Sequence, residues 1–325
     1  MADEQDKAFI TQCLNMALGS QTEGETSYSN SFDVKVGKEG FLFIPRLPSS
    51  YVIDDALYQK IFLIANAALY PRYTVLKQNS AYFIPLNTED IHVQRALFFP
   101  WKVGISKRLV ISDLEQFVSA KTSRLIPIME NLSLDYDKVT SMAIAGNSGS
   151  GKSYALTYFL TLLKPISELI IVDPKFDSPS RWAKYHQVTV IHPKQNRSKS
   201  DFVSEINEAL SQSLQLIYQR QALLYENPNQ KFKHLTIVID EVLALSEGTN
   251  KAIKDAFFSL LSQIALLGRA TKVHLLLVSQ RFDYNSIPVS VREQLNVNIQ
   301  IGNINHKTVQ FLFPDLNPEI GRAHV

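Results

Sequence analysis

Gly146-Asn147-Ser148-Gly149-Ser150-Gly151-Lys152-Ser153 is the stretch on which the reading of this 325-residue chain turns. It fills every fixed position of the pattern G-x-x-x-x-G-K-[S/T]. The apolar run Met142 to Ala145 precedes it, and the helical pattern SYALTYFLTLLK (153–164), stopped by Pro165, follows. A strand, a glycine-rich turn and a helix in that order gather backbone N–H groups and a positive helix end at one point, which suits a phosphate. Residues 146–153 are therefore expected to cradle ATP, with Lys152 reaching the β and γ phosphates and Ser153 ligating Mg²⁺. A glycine-serine turn without chemistry needs neither the strand before nor the helix after.

The texture of residues 126–325 supports this placement. TSMAIAG (140–146), ELIIVD (168–173), HLTIVID (234–240), KVHLLLVSQ (272–280) and VNIQIG (297–302) read as apolar strands. Between them lie helical patterns at 201–225 and 251–268, the second closed by Gly268. Strands alternating with helices predict an α/β fold with a mostly parallel central sheet covered on both faces. Right-handed crossovers then bring the C-terminal ends of the strands to one edge.

At that edge a phosphate loop needs a further carboxylate. HLTIVID carries five uncharged residues through the core and ends in Asp240-Glu241. Asp240 is expected in the Mg²⁺ shell and Glu241 as the general base for the attacking water. An acid pair after a strand also serves as an ordinary helix cap. Gln280, at the end of KVHLLLVSQ, is expected beside Asp240, bonding both γ-phosphate and water and reporting to Arg281; Ser279 is a second candidate for that role. Arg269 and Arg281 are the candidates for a cation supplied in trans, Arg269 being favoured, although a basic residue at a helix end also complements its dipole.

Four features occur in one order: the phosphate loop, Asp173-Pro174-Lys175, Asp240-Glu241, and the stretch from Gly268 to Arg281. Residues from about 125 to 318 resemble the FtsK/SpoIIIE-like motor domain of the HerA–FtsK group, whose members carry IDPK after the second strand and GRAxGIHLxLATQRP around the glutamine strand. Gly268, Arg269, Ala270, His274, Leu275, Leu277, Ser279, Gln280 and Arg281 carry the match. Phe282 stands where proline is usual, and Thr271-Lys272-Val273 replaces the alanine-glycine-isoleucine stretch. The resemblance implies a RecA-like P-loop ATPase that forms rings, usually homo-hexamers, around double-stranded DNA. It also implies kinship with chromosome translocases and with coupling ATPases of conjugative elements, whose partners include relaxases and transfer channels.

The preceding chain divides into an acidic stretch, 1–30, with five acids and one lysine, and residues 31–125. The first is expected as a flexible lead-in. The second is expected as a small α+β accessory domain, with a strand or hairpin around Gly40 over 32–45, a helix over 53–70, and a hairpin from Tyr73 turning at Gln78 to Ser80. The chain is 45% hydrophobic and 20% charged, an ordinary globular composition, and its single cysteine, Cys13, excludes disulfide and multi-cysteine metal frameworks. Thirty-three Lys and Arg against 31 Asp and Glu leave a charge of +2, which neither demands nor excludes nucleic acid. Three basic groups could line a channel: Lys194, Arg197 and Lys199; Lys231 and Lys233; Lys102, Lys107 and Arg108.

No apolar run reaches spanning length and the start is acidic, so a cytoplasmic protein is expected, membrane-associated only through partners. The last seven residues, EIGRAHV (319–325), are what a common sequencing-adapter string encodes, and the native chain is expected to continue past about residue 318. The expected function is an ATP-driven duplex-DNA translocase or transfer-coupling motor. A DNA-packaging or remodelling ATPase, a monomeric P-loop ATPase and a non-enzymatic, nucleotide-gated scaffold are the alternatives.

Overall fold

The structure, a computed structural model, describes residues 2–18, 31–49, 52–78, 80–105, 107–119, 124–130, 132–283, 285–302, 304 and 309–314. Residues 19–30 and 319–325 lie outside these. The chain divides into two compact units, Met1–Arg108 and a second comprising Leu109–Ile128 and Ser133–Pro318, with Met129–Leu132 grouped with the first. The division falls at residue 108 rather than at the change of texture near 125, because Val118 already packs against the apolar cluster of the second unit.

In the first unit, α1 (Ala2–Leu18) precedes β1 (Phe32–Gly37), β2 (Gly40–Pro45), α2 (Asp55–Leu69), β3 (Tyr73–Val75), β4 (Phe83–Pro85) and β5 (Arg95–Val103). The acidic start is thus a helix over 2–18 and not a flexible lead-in. Ile10 and Leu14, four residues apart on one helical face, are fully buried with Ile61 of α2 and Phe41 of β2. The hairpin around Gly40 forms as expected, Gly37 pairing with Gly40. β3 and β4 do not pair with each other; both lie antiparallel along β5, whose nine residues offer partners at Trp101 to Val103 and at Arg95 to Leu97. Stacked Phe41 and Phe99, with ring centroids 4.8 Å apart, fill the centre.

The second unit contains α3 (Leu114–Ser119), the two-stranded β6 (Leu125–Met129) and β7 (Leu132–Asp135), then β8 (Ser141–Gly146), α4 (Lys152–Leu163), β9 (Ser167–Val172), α5 (Ser178–His186), β10 (Val190–Ile191), α6 (Lys199–Glu226), β11 (His234–Ile239), α7 (Val242–Ser246), α8 (Lys251–Thr271), β12 (Val273–Ser279), α9 (Val289–Arg292) and β13 (Val297–Ile301). Six strands form one sheet in the order β10-β9-β11-β12-β8-β13, with every pairing parallel. Side-chain alternation builds the two layers: Leu275 and Leu277 of β12 face the α6 and α8 side, and Leu276 and Val278 face α4 and α5. Burial on both faces explains why β11 and β12 read as unbroken apolar runs. Phe282, at the position where the resembled family has proline, is buried in the α6–α8 layer.

At the N-terminal edge of this sheet His234 and His274 stack and join Nδ1 to Nε2 at 2.7 Å. Asp137 sits 3.0 Å from His234 Nε2, and His274 Nδ1 lies 3.2 Å from the carbonyl of Thr140. Burial first, and His234 second, pull the His274 pKa down to about 4. The pair ties together the starts of β11, β12 and β8.

Gly268 does not end its helix. α8 runs on to Thr271, and Lys272 takes the left-handed cap conformation at φ 57°. A Cβ on Gly268 would lie 2.1 Å from the carbonyl oxygen of Val273, so the glycine is there to let the returning strand approach. Backbone cannot rotate away from that collision, and the strain outweighs the roughly 1 kcal/mol that alanine gains in helix propensity. Gly268→Ala is expected to destabilise the protein by about 1–3 kcal/mol. Thermal denaturation checks this against Leu266→Ala, at a 64% exposed position, which leaves the midpoint nearly unchanged.

Candidate active site

The phosphate loop leaves β8 at Gly146 and enters α4 at Lys152. Gly149 (φ 75°) and Gly151 (φ 100°) hold left-handed conformations that turn the chain back onto the helix start. The Lys152 ammonium donates to the carbonyls of Gly146 at 2.7 Å and Asn147 at 3.0 Å, so it lies folded over the loop. Burial lowers its pKa, with Glu241 and Asp240 pulling upward and Lys175 pushing further down. The end of β13 walls the loop: Ile301 pairs with Gly146, and a Cβ on Gly146 would stand 2.7 Å from its carbonyl oxygen.

Sheet order sets the distance between loop and acids. β12 lies between β8 and β11, so Asp240 and Glu241 emerge one strand away on the same edge. Asp240 is 8% exposed and Glu241 7%. Glu241 holds a left-handed conformation (φ 46°, ψ 53°) at the N-cap of α7 and donates its N–H to Asp240 Oδ1 at 3.0 Å. A non-glycine residue there stores roughly 1–3 kcal/mol of strain, which the surrounding bonds must hold. Burial, then the Glu241 and Asp173 charges, raise the Asp240 carboxyl to about 6, while Lys175 opposes them.

Asp173 and Lys175 complete the cluster. Asp173, fully buried, accepts from the N–H groups of Lys175 (3.0 Å), Asp177 (2.8 Å) and Ser180 (3.1 Å) and from Ser180 Oγ (2.7 Å). It is the staple of the turn from β9 into α5. The Lys175 ammonium instead reaches Glu241 Oε1 at 2.5 Å. Lys175 thus makes its ion pair with Glu241 and not with Asp173, its neighbour in sequence. The signal was the Asp-Pro-Lys spacing: the aspartate is turned inward on its own loop, leaving the lysine to reach the neighbouring strand end.

Gln280 is the first residue after β12, level with Gly146 because Ser279 pairs with Ala145. It is exposed, and Ser279 beside it keeps a buried hydroxyl with no partner. Arg281 pairs with Asp283 Oδ2 at 3.0 Å. The structure thus brings residues 146–153, Asp240, Glu241 and Gln280 to one edge. Arg269 is elsewhere: exposed in the last turn of α8, at the opposite end of a seven-residue strand that spans about 20 Å. Among the basic groups, Lys194 and Arg197 share Glu205, and Lys233 pairs with Glu168.

The residues fit a nucleoside triphosphate. The glycine cradle is one that side chains would fill, and the buried Ser150 hydroxyl has no partner. Fold and site define a P-loop ATPase domain. Residues 137–285 match the AAA domain family AAA_22. The chain is 24% identical over 205 residues to the FtsK domain-containing protein YdcQ of Bacillus subtilis, a match covering 59% of this chain and 40% of that protein. The likeness expected from the sequence is therefore present, and the chain spans less than half the length of this curated relative. Among solved structures, the pCW3 conjugation coupling protein TcpA, determined with ATPγS, shares the fold at a TM-score of 0.52 and 17% identity, over 95% of this chain and 87% of that one. The cytoplasmic domain of the Thermomonospora curvata Type VII secretion ATPase EccC matches at a TM-score of 0.43 and 21% identity, over 56% of this chain and 23% of that one.

The raised Asp240 pKa has a signed consequence. An acid whose folded pKa, about 6, exceeds its ordinary 3.8 costs stability once it ionises, so the penalty is absent below pH 3.8 and complete above about 6. Asp240→Asn is expected to raise the melting temperature of the nucleotide-free protein at pH 8, and the gain should fade as the pH drops towards 4. Thermal denaturation at half-unit pH steps reads it directly.

Proposed function

We propose that this protein is an ATP-driven motor on double-stranded DNA, either a translocase or a coupling ATPase for DNA transfer, working as a homo-hexameric ring. What carries the reading is the meeting of Lys152, Asp240, Glu241 and Gln280 at one end of a parallel sheet. The likeness to a conjugation coupling protein over nearly the whole chain supports the choice of DNA as cargo.

Residues 146–153 would hold the triphosphate, and Ser153 and Asp240 would hold Mg²⁺, which when bound would supply charge neutralisation on the phosphates. Glu241 accepts a proton from water as the water oxygen bonds to the γ-phosphorus. The bond from that phosphorus to the bridging oxygen breaks, giving ADP and phosphate. Gln280 bonds the γ-phosphate and the water together and passes the nucleotide state to Arg281. Arg269 lies too far from its own phosphate loop to act there, so its role is at a neighbouring subunit's nucleotide. Lys231, exposed after α6, is offered to the DNA, with a relaxase or transfer channel as further partners. Among the described residues no helix is long and apolar enough to cross a membrane. In this reading the ATPase works on the cytoplasmic side, and any membrane association is made through partners.

ATP turnover with and without linear duplex DNA tests this. Duplex DNA should stimulate turnover at least about tenfold. Lys152→Ala should abolish nucleotide binding, and Glu241→Gln should keep binding while lowering kcat by about 10²–10⁴, the usual range for a lost general base. Turnover indifferent to duplex DNA would point to protein cargo instead. DNA transfer surviving Glu241→Gln would leave a nucleotide-gated scaffold.

A further inference from the structure

Resting on that reading, we propose that Lys175 is a positioning residue for hydrolysis: its ammonium grips one oxygen of Glu241, fixes the direction of the carboxylate and leaves the other oxygen for the attacking water. The contact is 2.5 Å, between Lys175 Nζ and Glu241 Oε1. Among the described residues Oε2 accepts no hydrogen bond and forms no ion pair.

The magnitudes argue against a role in stability alone. The Lys175 side chain is 53% exposed, and an ion pair with one such member adds little to folding. Its partner is 9% exposed and sits beside two other carboxylates, Asp240 and Asp173. The groups that face this site are those three acids together with Lys152 and Lys175. Lys152 is committed to the loop carbonyls. Lys175 is thus the cation left to balance Glu241.

Both partners are also held in place. The Lys175 N–H is fixed on Asp173 Oδ1, and the next residue, Phe176, is left-handed at φ 52° and stacked on His192 with ring centroids 4.0 Å apart. Glu241 is locked in its own left-handed cap. A rigid donor against a rigid base is preorganisation for a proton transfer.

The test compares wild type, Lys175→Met, Lys175→Arg, Glu241→Gln and the Lys175→Met/Glu241→Gln double variant. Lys175→Met should lower kcat about 10- to 100-fold with KM for ATP changed less than about threefold, since the interaction serves the transition state. Lys175→Arg should recover most of the rate, since it keeps a cation within reach of Glu241. A rise in KM with kcat intact, a faster basal turnover, or loss of DNA stimulation alone would overturn the proposal. A readout free of turnover accompanies it: the melting-temperature gap between wild type and Lys175→Met should vanish in the Glu241→Gln background. A gap that persists without Glu241 also overturns it. If wild type hydrolyses no ATP, the motor reading fails, while the melting cycle still decides whether Lys175 holds Glu241.

Discussion

Three carboxylates and two ammonium groups share the end of one buried sheet, and the rest of the domain serves to hold them there. Asp173, Asp240 and Glu241 would repel one another apart from Lys152 and Lys175. Such a cluster is a poor source of folding energy: charges taken out of water recover their desolvation only with good geometry. Stability comes instead from the apolar layers on both faces of the sheet, where Leu275 to Val278 alternate between the α6–α8 and the α4–α5 sides. That division lets the rim carry a raised pKa, left-handed turns and unpartnered hydroxyls without unfolding the domain.

Insertion of β12 between β8 and β11 is what makes the cluster a site. With the two strands adjacent, the acids would crowd the loop. With β12 between them, the end of that strand, Ser279 and Gln280, separates the loop from the acids at the rim. The αL conformation of Glu241 and the Asp173 staple then aim the two charged side chains that face each other across β9 and β11.

Much of this was legible in the sequence, for identifiable reasons. The glycines and lysine at 146–153 and the acids at 240–241 follow apolar runs, and an apolar run between charged ends has few ways to fold. What stayed hidden depended on tertiary approach. Gly268 reads as a helix stop because glycine suits a C-cap, yet its reason is the carbonyl of Val273, which stands where a Cβ would collide with it. The partner of Lys175 could not be read because Glu241 is 66 residues away. The acidic start reads as disordered until Ile10 and Leu14 find α2 and β2 to bury against. The strands β3 and β4 suggest a hairpin because they are neighbours in sequence, but β5 is long enough to take both.

The most direct test is an experimental structure of the protein with Mg²⁺ and a non-hydrolysable ATP analogue. The γ-phosphate is expected between Lys152 and Glu241, with the metal on Ser153 and Asp240 and a water against Glu241. Nucleotide bound away from residues 146–153, or Glu241 turned out of reach of the terminal phosphate, would contradict it.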